Sequence, residues 1–212
     1  MSMERGSQLA DRLNVVPIGV MSAGWIAPML LFWGRVWGPL RPHDVEAVTI
    51  PGDYVFGGFL LSFLPILLPA SYYELRAIEK DGRLYERLGV RRFRSVVTNG
   101  DWIARIVRRK EPAYRFLATR SALLAYRRRT VAIERAHLVL MLMGALSAVA
   151  AWRVGWLGWA LFLLGGNVVV NLYPALLQRY TRARIDRGRC GTRRLNGKGA
   201  AESARRPETA SL

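Results

Sequence analysis

The sequence predicts an all-α integral membrane protein with about four transmembrane helices and a basic amphipathic cytoplasmic segment between helices 2 and 3. Three observations predict it. Over half of the 212 residues (51%) are hydrophobic, and they are gathered into blocks. Residues 15–34, 54–73, 136–152 and 154–178 contain no Asp, Glu, Lys or Arg, and about 20 apolar residues suffice to cross the hydrocarbon. The net charge of +17 is concentrated beside those blocks: residues 74–135 carry 17 Lys and Arg against 7 Asp and Glu, and residues 178–212 carry 10 against 3.

Taken in order, residues 15–34 are long enough to span. With no clear small-residue cleavage site before Arg35 they read as a retained helix or uncleaved anchor. The connection 39–53 holds only Arg41 against Asp44, Glu46 and Asp53, so the positive-inside rule places it outside and both termini in the cytoplasm. The second helix, 54–73, is expected to continue through ELRAIEK as far as Gly82. RLYERLGVRRF follows, with Leu84, Tyr85 and Leu88 on one side and Gly89 as a C-terminal stop. In WIARIVRR, Trp102, Ile103, Ile106 and Val107 alternate with Arg105, Arg108 and Arg109, a pattern suited to lying in a membrane surface. Pro112 should separate this piece from a second surface helix over 115–129. The third helix, 136–152, is short. The cluster Trp152, Arg153, Gly155, Trp156 predicts a tight interfacial turn into the fourth, 154–178. Residues 1–187 therefore read as one membrane domain, and the aromatic-free stretch 188–212 as a disordered basic tail.

This composition excludes a large soluble core. The basic residues flank membrane segments and form no nucleic-acid motif, so anionic lipid is the simpler partner. Cys190 stands alone, which excludes a disulfide framework and a thiolate metal site. The two histidines fall on opposite sides of the membrane, away from any carboxylate cluster, and no metal is expected. HExxH, P-loop, Rossmann, GxSxG and HxxxD patterns are absent.

Two constellations carry possible chemistry. Asn167, Asn171, Gln178 and Arg182 follow steps of four, seven and four and so share one helix face. Polar groups are costly there. They serve either as a helix-packing seam or, with Arg179, Arg182 and Arg184 at the membrane edge, as a site for an anionic head group or phosphate. Glu134 and His137, three residues apart, share a face that continues through Met141, Gly144 and Ala148. Histidine takes and returns a proton near neutral pH and a nearby carboxylate can orient it, which suits a general base. A membrane-edge histidine bonded to a carbonyl or lipid fits the same spacing. His43, in the outer loop, reads as solvated.

EKDGRLYERLGVRRFR (Glu79, Gly82, Tyr85, Glu86, Gly89, Val90), ERAH (Glu134, His137) and NLYPALLQRYTRAR (Asn171, Pro174, Gln178, Arg179, Tyr180, Arg182) occur in that order. Together they resemble the glycosyl-4,4'-diaponeurosporenoate acyltransferases of carotenoid synthesis, over roughly residues 72–185. The chain departs from the family pattern with Leu138 after the histidine, Thr181 in the last block and Arg129 before Thr130.

The resemblance implies a multi-pass cell-membrane enzyme. It would move a fatty acyl group from a thioester, acyl-CoA or acyl-carrier protein, to a sugar hydroxyl of a glycosylated carotenoid or related glycolipid, with no other cofactor. Within that reading His137 deprotonates the acceptor and Glu134 orients it. Asn171 and Gln178 donate to the oxyanion, and Arg179, Arg182 and Arg184 hold donor phosphates. Tyr180, Glu79, Tyr85 and Glu86 complete the substrate-binding set. A non-catalytic lipid-binding scaffold and a small membrane methyltransferase remain alternatives. Enzyme and scaffold are told apart by whether His137, Glu134, Asn171 and Arg179 converge on one cavity open to the cytoplasmic side or point at different surfaces.

Overall fold

The computed structural model describes residues 2–36, 50–97, 101–112 and 119–188. The expected tail beyond 188 with Cys190, most of the outer connection with His43, and part of the run 115–129 lie outside them. Among the described residues every element is helical. Three helices are long and apolar enough to cross a membrane, and a fourth candidate is a helix pair bent by 78°.

Helix α1 runs Ser2–Val36 and includes Pro17 and Pro28. It begins well before residue 15 because its first turns have a partner of their own: Ala10 packs with Ile103 and Val107, bordered by Leu9, Leu13 and Trp102. Those partners belong to α5, defined below. Farther along, Val15, Val16, Ile18, Val20, Leu30 and Leu31 are exposed, as suits a helix whose outer face meets lipid.

The expected helix 54–73 is instead broken. Helix α2 covers only Gly52–Ser62, a rise of about 16 Å against roughly 30 Å of hydrocarbon. A 3₁₀ turn, Leu64–Leu67, follows, then further 3₁₀ turns at Ala70–Tyr73 and Ala77–Glu79. Prolines at 65 and 69 are the physical reason: each lacks an N–H and clashes with the carbonyl four residues earlier. The buried Tyr73 hydroxyl donates to the Pro65 carbonyl at 2.9 Å and ties the bend together. ELRAIEK accordingly does not prolong the second helix.

Short helices α3 (Arg83–Arg87) and α4 (Val90–Val96) come next, each preceded by a glycine with positive φ, Gly82 at 70° and Gly89 at 77°. Helix α5 is Asp101–Lys110 and ends two residues before Pro112. Its amphipathic pattern is real, but the buried face of Ile103 and Val107 is covered by α1 and is not left open to a bilayer surface.

Helix α6 runs unbroken through Arg120–Arg153. Thr119 caps it, its hydroxyl accepting from the Ala122 N–H at 3.2 Å. The separate surface helix and third span expected from the sequence are therefore largely one element; the arginines had masked its continuity. The turn after Arg153 is as expected. Gly155 adopts φ 80°, its N–H reaches the Trp152 carbonyl at 3.0 Å, and the Trp156 N–H reaches Ala151 at 2.9 Å. This Schellman closure satisfies the last carbonyls of α6.

Helix α7 spans Leu157–Gly188. It opens as α-helix over Leu157–Asn167 and widens into a π-helical turn over Val168–Leu172 before resuming. Pro174 accounts for the widening, because its ring cannot sit beside the Val170 carbonyl in a regular α-helix and its missing N–H leaves that turn short of a bond. α6 and α7 form an antiparallel hairpin, with α1 packed on α7 and α2 on α6. The seam on α6 runs Arg127, Thr130, Glu134, His137, Met141, Gly144, Ala148, Ala151, an alternation of three and four.

Candidate functional site

Glu134 lies on the α6 seam and is 1% exposed. A carboxylate buried in a hairpin must be paired or it costs several kcal/mol. Its partners stand on α7. Arg179 donates from Nε to Oε1 at 2.6 Å, and Arg182 donates from Nη2 to Oε2. Arg182 also reaches the Thr130 hydroxyl at 3.4 Å, and that hydroxyl donates to the Arg127 carbonyl at 2.6 Å.

Arg179 carries the lattice outward to the segment that precedes α3. Its Nη1 donates to Glu79 Oε1 at 2.9 Å and its Nη2 to the Tyr72 carbonyl at 2.7 Å. Its guanidinium lies 5.0 Å from the Tyr72 ring centroid. Glu79 is fixed from its other side by the Arg76 N–H at 2.7 Å and by the buried Tyr85 hydroxyl at 2.5 Å. Burial, then the bond to Glu79, push the Tyr85 phenol above its ordinary range, so it stays a donor. Tyr180, buried against Tyr85, donates to Glu86 at 3.0 Å. Arg179 thus bridges two carboxylates 55 positions apart, Glu79 and Glu134, with charge-assisted bonds that neutralise its charge locally.

One turn deeper sits a second, uncharged group. His137 Nδ1 faces Asn171 Oδ1 at 3.4 Å, Asn171 donates from Nδ2 to Asn167 Oδ1 at 2.8 Å, and Asn167 donates to the Met141 carbonyl at 2.8 Å. Asn171 is fully buried and lies within the π turn. Asn167 and Asn171, four residues apart, share one helix face, and π bulges such as this one recur at functional sites. Gly144 makes room for this group: a Cβ there would come within 2.8 Å of Asn167 Cγ and of Trp25 Cζ2.

His137 and Asn171 therefore meet, as do Glu134 and Arg179. Three expected pairings differ. Glu134 does not orient His137: two arginines three residues apart on the facing helix give it charge-assisted bonds that a neutral imidazole cannot match. Arg179 and Arg182 use donors on those carboxylates, so the geometry does not offer them to a donor phosphate; Arg184 differs, being exposed and 5.9 Å from the Tyr180 ring centroid. Asn171 points its oxygen at His137 and one N–H at Asn167, the disposition of an orienting group more than of an oxyanion donor. Gln178 has a buried Oε1 with no partner among the described residues.

The sequence patterns assigned no site role to Thr130, named there only beside Arg129, or to Arg127 and Tyr72. The first two were findable by extending the three-and-four alternation backward from Glu134; the Tyr72 carbonyl was not, because the backbone bend creates it.

A family model for glycosyl-4,4'-diaponeurosporenoate acyltransferases matches residues 69–189. The match contains the charged lattice and the His137 group in full. No curated protein and no solved structure matches the chain.

Proposed function

Because the chain belongs to the glycosyl-4,4'-diaponeurosporenoate acyltransferase family, we propose that it moves a fatty acyl group from a thioester donor to a sugar hydroxyl of a glycosylated carotenoid or related glycolipid. The observation that carries the reading is the meeting of His137 with Asn171 beside the Glu134–Arg179 pair, all within the matched span.

In this reaction His137 accepts the proton of the acceptor hydroxyl. The alkoxide-like oxygen attacks the thioester carbonyl, the C–S bond breaks, and the thiolate takes the proton back from the imidazolium. Asn171 holds the ring. The Glu134, Arg179, Arg182 lattice keeps α6 and α7 in register and fastens the 72–86 segment over them. Arg184, with its exposed guanidinium, contacts the anionic part of an acyl-CoA or acyl-carrier donor, and the lipid-facing helices receive the acceptor's long tail. The basic segment 74–135 and both termini are assigned to the cytoplasmic face of the cell membrane, where such donors are found; the excess of Lys and Arg supports that orientation.

The test is pigment and lipid extraction from a host making the glycosylated carotenoid, with and without this chain, compared by mass spectrometry. Gain of an acyl-sized increment on the glycoside is expected. An unchanged glycoside alongside normal amounts of inserted protein would refute the reading.

A further inference from the structure

We infer that Asn167 is a positioning residue that fixes the tautomer of His137 through Asn171, holding the proton on Nδ1 and leaving Nε2 as the basic nitrogen. The inference rests on the general-base reading of His137 and adds which ring nitrogen acts and what selects it.

One group in the chain of bonds has no choice of role. The Met141 carbonyl oxygen is only an acceptor, so the Asn167 atom 2.8 Å from it is the amide nitrogen. The Asn167 oxygen then faces Asn171, and the atom 2.8 Å from it must be a donor, the Asn171 Nδ2. That leaves the Asn171 oxygen directed at His137 Nδ1, 3.4 Å away. An amide oxygen cannot donate, so the ring nitrogen facing it must carry hydrogen to bond. In the neutral imidazole the lone pair is then on Nε2.

Neither asparagine flips freely. Turning Asn171 alone would set its nitrogen against His137 and its oxygen against the Asn167 oxygen. Turning both would set the Asn167 oxygen against the Met141 carbonyl. Each arrangement puts two acceptors face to face at a site where Asn167 and Asn171 are buried, and an unmade bond to a buried polar group costs about 1–3 kcal/mol. The circuit also returns to the helix it began on, because Met141 stands one turn beyond His137 on α6. Gly144 lets Asn167 approach, and the π turn presents Asn171 beside it.

The test uses the full-length protein in detergent or bilayers, labelled with ¹⁵N-histidine, with His43→Gln present so that only His137 reports. Above the imidazole's titration, Nδ1 is expected to resonate as a protonated nitrogen and Nε2 as an unprotonated one. Asn167→Leu should mix the two tautomers and lower kcat by on the order of tenfold, with KM for the donor little changed and the acidic limb of the pH–rate profile, where the imidazole must lose its proton to act, displaced. Asn167→Asp, whose protonated carboxyl can both donate to Met141 and accept from Asn171, should restore the single tautomer. A single Nδ1–H tautomer that persists in Asn167→Leu, or an Nε2–H ring in the unsubstituted protein, overturns the inference. Full activity in His137→Ala would instead sink the catalytic reading while leaving the tautomer result standing, so the two failures are distinguishable.

Discussion

At one end of the α6–α7 hairpin, Ala148, Ala151, Ala160 and Leu163 pack against Phe32 and Val36 of α1, with Trp156 and Trp159 at the border. At the other, Glu134, Arg179, Arg182, Glu79, Tyr85 and Thr130 form a connected set of charged and hydroxyl groups, with His137 and two asparagines just inside it. The same two helices are joined in both places, yet by different physics. The apolar end depends on close packing of small and large side chains, a non-directional contribution that degrades gradually. The polar end depends on each donor finding its acceptor, so one missing partner leaves a buried charge with nothing to offset it. A chemically active group gains from the second kind of support, because directional bonds fix orientation as well as distance.

Substitutions that break one end and spare the other sharpen this contrast, and the largest expected effect is functional. His137→Ala should lower acyl transfer by about 10²- to 10⁴-fold, the usual contribution of a general base. It should leave membrane insertion intact and lower stability by only about 1–3 kcal/mol, the cost of leaving the buried Asn171 oxygen without its partner, as measured by product mass and by a melting curve.

Next comes the charged lattice. Glu134→Leu leaves buried Arg182 without a carboxylate, while Arg179 keeps Glu79 and the Tyr72 carbonyl; it should cost about 3–5 kcal/mol, read from unfolding in a denaturing detergent titration. Combining it with Arg182→Met should recover part of that loss; a double variant less stable than Glu134→Leu would count against the proposed pairing. At the apolar end, Leu163→Ala should cost less, roughly 2–3 kcal/mol from a cavity that neighbours partly refill, with catalytic rate per folded molecule unchanged. Tyr85→Phe removes one charge-assisted bond to Glu79 and should cost about 1.5–2 kcal/mol. The smallest effect on folding belongs to Arg184→Ala, within about 0.5 kcal/mol. It should appear as a raised KM for the thioester donor, and an unaltered KM would remove Arg184 from the donor site.

The polar end was partly legible in the sequence. Glu134 and His137 declared themselves by standing three apart at the mouth of an apolar run, and Asn171 to Arg184 by placing amides and arginines on one face of another. Which carboxylate would take which cation was not legible. On spacing alone Glu134 has His137 as its nearest neighbour of interest, whereas in the fold Arg179 and Arg182 reach it from α7 and displace that pairing. Asn167 looked like a seam residue and is one, but the seam bond it makes to Met141 also orients the group next to the histidine.

What the sequence by itself determined follows from patterns that act over a few turns of helix: apolar blocks long enough to span, charge gathered beside them, the Gly155 turn, and the family to which residues 69–189 belong. The break after Ser62 follows from Pro65 and Pro69, a local signal that hydropathy alone overlooks, whereas only the tertiary structure decided the continuity of α6 through its arginines and the partners of Glu134. Hydropathy and periodicity report what a segment prefers alone. A buried charge or amide is satisfied by whichever group another helix brings within about 3 Å, and that choice exists only once the helices have packed.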